Sequence, residues 1–363
     1  MKKFFLILII VAVNTLLVNS QESAQEFVKW KDILSHVQDE WYGSERSKEV
    51  ASNILFAQTE WGGWPKNIEY AQPMSSSYKK DLKSEFKSSD HAPNIDNGAT
   101  INEMTFLAKM FIATNDSTYL KAWNSGFNYL VEAQYDNGGW PQFYPLRKGY
   151  SRYITYNDNA MVNVMDLMYD VMRKSEDFTF VSDEQAEQAK RSFELGVECV
   201  IKTQIVINGV PTVWCAQHDD QTLAPAKARA YELPSLSGAE SVGILRILMK
   251  IKRPSPEVIR SIESAMRWLN DNKITGFRQE WVRGEDGVRR RTLIADPQAK
   301  PLWARFYDLE TQKPFFCDRD GVKVNSIEEL GLERRNGYSW YTDKPYELLN
   351  SVYPKWRAKN VLR

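Results

Sequence analysis

Two stretches of the chain concentrate polar chemistry without helical periodicity. One is Lys227-Ala228-Arg229-Ala230-Tyr231-Glu232-Leu233-Pro234-Ser235, preceded by Trp214-Cys215-Ala216-Gln217-His218-Asp219-Asp220. The other, Trp303-Ala304-Arg305-Phe306-Tyr307-Asp308, continues to Phe315-Phe316-Cys317-Asp318-Arg319-Asp320-Gly321. Such segments read as site loops. In the second, Arg305 and Arg319 alternate with aromatic rings, which suits planar recognition of a carboxylate between sugar-stacking surfaces. The plainer alternative is that Asp308, Asp318 and Asp320 neutralise them, and for either arginine alone that alternative is the stronger.

A repeat organises the rest. Trp61-Gly62-Gly63-Trp64-Pro65 recurs as Gly138-Gly139-Trp140-Pro141, each after a helix ending in Gln, Gln58 or Gln134. Downstream, Asp96-Asn97-Gly98-Ala99 and Asp158-Asn159-Ala160-Met161 each open a helix. One Asp-Asn at a helix start is most simply an N-cap. Two copies favour metal or substrate binding, because each Asn could cap its helix and free the Asp carboxylate. Equivalent connections of repeated helix pairs fall on one face, so the two carboxylates should converge.

Amphipathic helices are predicted over 47–57, 97–113, 117–133, 158–172, 183–203, 238–251 and 256–270. Ser255 before Pro256 is an N-cap with proline at the first helical position, and Asn115 and Asp116 cap the helix that follows them. Hairpins are predicted at 204–214 about Asn208-Gly209 and at 277–294 about Asp286-Gly287. Residues 72–95 read as a long polar loop of the kind that is functional or mobile. The pattern as a whole is mainly α, an (α/α) toroid of helix pairs with small β-hairpin elements around a central cleft.

Lys2 and Lys3, the apolar stretch 4–18 and the small polar Asn19 and Ser20 form a signal peptide over residues 1–20, leaving 21–363 as one domain. The expectation is a secreted or periplasmic protein with no membrane association once mature. Charge is balanced at 47 basic and 47 acidic residues, and cleavage would remove only Lys2 and Lys3, so no global field draws nucleic acid or a membrane surface. Three widely spaced cysteines cannot all pair. Twelve Trp, 17 Tyr and 16 Phe admit either a ring-rich core or a sugar-binding surface.

Taken together, the GGWP repeats, the Asp-Asn helix starts, WCAQHD, ARAYELPSLSG and WARFYDL resemble the pectate lyases of polysaccharide lyase family ten, over nearly all of the mature chain. The resemblance implies an (α/α) toroid that cleaves α-1,4-polygalacturonate (pectate) by anti β-elimination with Ca2+. It implies Arg229 as catalytic base, Asp158 as principal calcium ligand with Asp96 beside it, and Asn97 in the cleft. Arg305 and Arg319 match arginines that grip galacturonate carboxylates, and Lys66 matches a substrate-contacting position. Trp64 of the first GGWP and Tyr231 of ARAYE are expected to contact substrate as well. The chemistry calls for these types: abstracting a uronate C5 hydrogen places negative charge on the adjacent carboxylate, which a divalent cation and arginines stabilise. A guanidinium with pKa above about 12 is an unusual base, so activity is expected to favour alkaline pH. Two rivals remain, an inverting glycoside hydrolase with paired carboxylates and a glycan-binding protein that holds pectin without shortening it.

Overall fold

The computed structural model describes residues 28–86 and 92–361. The signal-peptide segment lies outside the described residues. Among the described residues nine helices carry most of the core: α1 Trp30–His36, α2 Glu45–Ala57, α3 Ser76–Glu85, α4 Ile101–Thr114, α5 Ser117–Glu132, α6 Ala160–Met172, α7 Asp183–Thr203, α8 Glu240–Lys250 and α9 Pro256–Asp271. Among the described residues no helix is long and apolar enough to cross a membrane. Their starts follow local chemistry. Ser255 accepts from the Val258 amide with Pro256 in the first turn, Asp116 accepts from Thr118, and Ser182 with Gln185 closes a full capping box. Asn115 instead ends α4 in the left-handed conformation.

The helices pack in two rows. α2, α4, α6 and α8 lie side by side, and α5, α7 and α9 pack behind as their hairpin partners. This row corrects the expected toroid of helix pairs. After Asp271 the 3.6-residue periodicity gives way to alternating and loop sequence, so no further long helix pair brings the last copy back onto the first. Residues 272–361 supply instead a hairpin of two seven-residue strands, Phe277–Arg283 with Arg289–Ala295, several two-residue strand pairs and short helical turns. Every sheet among the described residues is two-stranded and none closes. The predicted polar loop over 72–95 also contains helix α3, capped by Ser75.

The GGWP copies are structural plugs. In each, the first glycine takes positive φ, 96° at Gly62 and 88° at Gly138, and a Cβ there would lie 2.2 Å from Ser125 O or 2.0 Å from Leu195 O, so only glycine fits. Trp64 and Trp140 are fully buried, donating Nε1–H to Ile54 O and Leu130 O at 2.8 Å. The device has further copies that lack the GG signal. Trp214 donates to Val200 O and Trp303 to Leu269 O, each at 2.7 Å. The glutamine staples recur too: Gln58 bridges Gly62 O and Ala122 O, Gln134 bridges Gly138 O and Ser192 O, and Gln204 bridges Thr212 O and Ser261 O. Each of these four indoles removes about 200 Å² from water, worth about 5 kcal/mol, with its one donor satisfied. Most of the chain's tryptophan therefore serves the core.

Candidate active site

The backbone leaving each plug places one connection beside the next. Asn94, Thr155 and Ser237 donate their amides to the carbonyls of Trp64, Trp140 and Trp214. Each following turn is pinned by the residue two past the next tryptophan: Ile95 donates to Gln142 O, Tyr156 and Asn157 to Ala216 O, and Gly238 to Arg305 O. Counted from these bonds, Asn97, Asp158 and Glu240 are equivalent, and Asp96 is equivalent to Asn157. The Asp-Asn motifs align Asp96 with Asp158 in the sequence, and the structure sets the two one residue out of register.

The turn angles agree. Asn97 and Asp158 both sit at φ 51°, ψ 29°, a left-handed slot that Asn and Asp tolerate better than other side-chain-bearing residues. Both are exposed, whereas Asp96 and Asn157 are buried. No side chain of either turn caps its helix, which removes the N-cap explanation for Asp158.

Asp158 accepts from Asn157 Nδ2 at 2.7 Å and has Arg305 Nη2 3.8 Å from its Oδ1. Arg305 is 11% exposed at its side chain and is held by Glu240 Oε1 and Asn157 Oδ1, both at 2.8 Å. Its guanidinium lies over the Tyr338 ring at 4.7 Å. Burial alone would pull the Arg305 guanidinium down, but Glu240, Tyr338, Asp158 and Glu232 hold it above its ordinary value. Burial also lifts the Asp158 carboxyl above its usual range. Arg305 opposes that rise, while Glu240 and Asp96 add to it. A cavity of about 330 Å³ opens here, lined by Asp158, Asn159, Glu240, Arg305, Tyr341 and Lys344 among others.

On the Asp96 side, Lys66 Nζ donates to Asp96 Oδ2 at 2.5 Å, leaving buried Oδ1 without a partner. Asn97 reaches Asn67 Oδ1 at 3.4 Å. Among the described residues no group of three or more His, Cys, Asp and Glu side chains encloses a metal. The donors present nevertheless fit an open half-shell for a hard cation. Asp96 offers an unpartnered oxygen and Asp158 an exposed carboxylate raised partly by its acidic neighbours, a repulsion that a divalent cation relieves.

The ARAYE segment forms the other flank. Arg229 donates Nε–H to Glu232 Oε2 at 2.7 Å and Nη2–H to Oε1, and is 45% exposed at its side chain. The hydrogen bond to Glu232 raises the Arg229 guanidinium above its ordinary value despite partial burial. Burial pushes the Glu232 carboxyl upward, but Arg229 and the Tyr338 hydroxyl, donating at 2.8 Å, outweigh it and leave it lowered. Tyr338 thus joins the Arg229–Glu232 pair to the ring face under Arg305. Arg319 lies apart from Asp158, exposed, forked onto Glu333 at 3.1 and 3.2 Å and 5.9 Å from the Tyr231 ring. Neither arginine is neutralised by the aspartates adjacent in sequence.

Two expected substrate contacts are corrected. Trp64 is 0% exposed and plugs the core, so no ring face is free. Tyr231 is 4% exposed, with Arg229 and Arg334 over its ring at 5.0 and 4.3 Å, so it orders arginines and offers no open stacking surface. In the WCAQHD motif Asp219 closes a turn onto Gln221 and Thr222, and the Asp220 that follows it binds Arg152, both structural tasks. Sequence reading missed Glu232, Glu240, Tyr338 and Lys344. Glu232 was signalled by its three-residue spacing from Arg229. Glu240 was hidden because insertions of unequal length separate each tryptophan from its turn.

The sequence model of the pectic acid lyases matches residues 58–349. Among solved structures the chain is similar to a family 10 polysaccharide lyase from Cellvibrio cellulosa, at 34% sequence identity and TM-score 0.75, covering 87% of this chain and 94% of that one. An aspartate-to-alanine mutant of a family 10 lyase from the same organism, in complex with trigalacturonic acid, is similar at 34% identity and TM-score 0.74, covering 86% and 95%. No curated protein matches.

Proposed function

The chain belongs to the pectic acid lyase family and is a pectate lyase of polysaccharide lyase family 10, and from that premise we propose that it cleaves α-1,4-polygalacturonate by calcium-assisted β-elimination, releasing unsaturated oligogalacturonides. The observation that carries the reading is the exposed Asp158 carboxylate 3.8 Å from an arginine locked in place by Glu240 and Asn157. A preset cation beside an open carboxylate suits a substrate that is itself a carboxylate. The solved family 10 complex with trigalacturonic acid supports the same substrate class.

Asp158 and the free oxygen of Asp96 would hold calcium, with water and the substrate carboxylate completing the shell. Calcium bound there supplies charge neutralisation that acidifies the uronate C5 hydrogen. Arg305 contributes preorganised positive charge at the same carboxylate without having to move, since Glu240 and Asn157 already fix it. Arg229, in the neutral form left once its guanidinium has lost a proton to solvent, takes the C5 proton, the C4–C5 double bond forms, the C4–O bond breaks and the leaving glycosidic oxygen takes a proton from solvent. Glu232 holds Arg229 protonated, so the base role requires Arg229 to leave Glu232 when substrate enters. High pH favours that role. Residues 1–20 serve as a cleaved export signal, placing the mature enzyme in the periplasm or medium.

An ultraviolet time course on low-ester polygalacturonate tests this, run with and without chelator on the wild type and on Arg229→Lys. The expected result is an unsaturated product that chelator suppresses, and an Arg229→Lys rate lower by about 100- to 10,000-fold, as for loss of a general base. Chain shortening without a double bond would establish hydrolysis. Full activity in chelator would remove calcium, and a near-normal lysine variant would remove Arg229 as base.

A further inference from the structure

The hairpin Phe277–Arg283 with Arg289–Ala295 projects from the C-terminal region and takes no part in the site described above. Its register places Trp281 opposite Arg291 and Arg283 opposite Arg289. Residues paired across an antiparallel ladder share a face, and alternate residues along a strand share it too. One face therefore carries Trp281, Arg283, Arg289 and Arg291. The other carries Arg278, Glu280, Val282, Arg290, Thr292 and Ile294.

The faces differ in charge compensation. On the second, Arg278 pairs with Glu280 and Asp296, and Arg290 pairs with Asp286. On the first, no arginine has a carboxylate partner among the described residues. Arg283 donates to Gly287 O at 2.7 Å and Arg291 to Tyr338 O at 3.0 Å. Arg289 and Arg291 sit 5.3 and 5.0 Å from the Trp281 ring, which is 46% exposed, whereas most of the chain's other tryptophans are buried. Three guanidiniums without carboxylate partners, two of them beside an open indole, repel one another and attract a polyanion carrying sugar rings.

The hairpin is also tied to the active-site flank. Asn336 accepts from the Arg291 amide and donates to Arg289 O, and Arg335 donates to Arg291 O. The same short segment carries Glu333, which holds Arg319, and Arg334, which stacks on Tyr231 and Tyr338. Arg291 bonds the carbonyl of Tyr338, whose ring lies beneath Arg305. The basic face is thus hydrogen-bonded to the segment that carries the arginine cluster.

Resting on the pectate reading, we infer that this face of the hairpin is a distal subsite for polyuronate, in which Trp281 stacks a sugar ring while Arg283, Arg289 and Arg291 take carboxylates of residues beyond the cleavage point. Such a subsite acts on long chains and not on short ones. It raises occupancy of the cleft by tethering the polymer, leaving bond cleavage untouched.

The test compares wild type, Trp281→Ala and Arg289→Glu on polygalacturonate and on trigalacturonate, alongside migration of each protein in native gels containing polygalacturonate. The expected result is a KM for polymer raised about 10-fold in both variants, with kcat for polymer and all trimer kinetics unchanged and with reduced retardation in the gel. Equal losses on trimer and polymer would overturn the inference, as would unchanged polymer KM or wild-type retardation in both variants. Melting curves identify a misfolded variant, and Arg283→Gln then replaces it. If the wild type is retarded by the polymer yet forms no unsaturated product, the lyase reading fails while the subsite stands. If the wild type is not retarded, the subsite fails.

Discussion

The turns at Asp96–Gly98 and Asn157–Asn159 share a backbone and divide their chemistry in opposite ways. Asn97 and Asp158 occupy the same left-handed slot at φ 51°, ψ 29°, both facing outward. The first turn puts its carboxylate in the buried position, tied to Lys66, and an amide in the exposed one. The second does the reverse, with buried Asn157 supporting Arg305 and exposed Asp158 open to the cleft. Their anchors differ as well. The second is backed by a strand pair, Ile154–Thr155 with Gln217–His218, whereas the first has one isolated bridge, Asn94 to Phe143. A repeated backbone therefore supplies positions, and what each position does depends on whether its neighbours bury it.

The sharpest challenge to that division is Asp158→Asn. Asn tolerates the left-handed slot, so the melting temperature should hold while kcat falls about 100- to 1,000-fold, the scale of losing one preorganised charge contact. Steady-state kinetics with a melting curve check it, and a stability loss without a rate loss would make Asp158 structural.

Next comes the anchor. His218 is buried, its Nε2 accepting from the Cys215 amide at 3.1 Å and its Nδ1–H facing Leu223 O at 2.9 Å, which requires the neutral ring. Burial lowers its pKa to about 4 from the usual 6.5. A histidine depressed in the fold contributes stability that is present above its unfolded pKa and is lost as pH falls from about 6.5 toward 4. The full loss is about 3 kcal/mol. Urea midpoints between pH 7 and 4 should fall in the wild type more steeply than in His218→Gln, and parallel curves would refute the assignment.

A smaller effect is expected at Asp96→Asn. The amide keeps an oxygen for Lys66 but loses the charge, so stability should drop by about 1–2 kcal/mol and kcat by about 10-fold, well short of the Asp158 variant. Loss of activity equal to that of Asp158→Asn at unchanged stability would show that the two turns work alike. The smallest effect concerns the slot itself. Asn97→Gly should be near neutral in denaturant unfolding, while Asn97→Ala should cost about 1 kcal/mol because its Cβ is strained at positive φ.

Much of this was legible in the chain. The helix at 183–203 matches residue for residue, the others fall within a few residues of their periodic patterns, and both Asn-Gly and Asp-Gly hairpins form where their turn residues stand. These features rest on local chemistry: capping hydroxyls, apolar spacing and glycines that accept positive φ. The candidate residues Asp158, Asp96, Arg229 and Arg305 were also visible as unusual polar groups in short motifs. Their partners were not. Glu240 meets Arg305 across 65 positions, and Tyr338 meets Glu232 across 106.

Sequence by itself determined which residues could do chemistry and which segments would be helices, because those are matters of side-chain type and near-neighbour spacing. Only the tertiary structure decided that Trp64 and Tyr231 are spent inside the protein, and that Asp96 and Asp158 are not equivalent. It also decided that the helix pairs form an open row. The physical reason is that burial, register and charge pairing depend on which distant segments pack together, and the insertions between repeats conceal that from a linear reading.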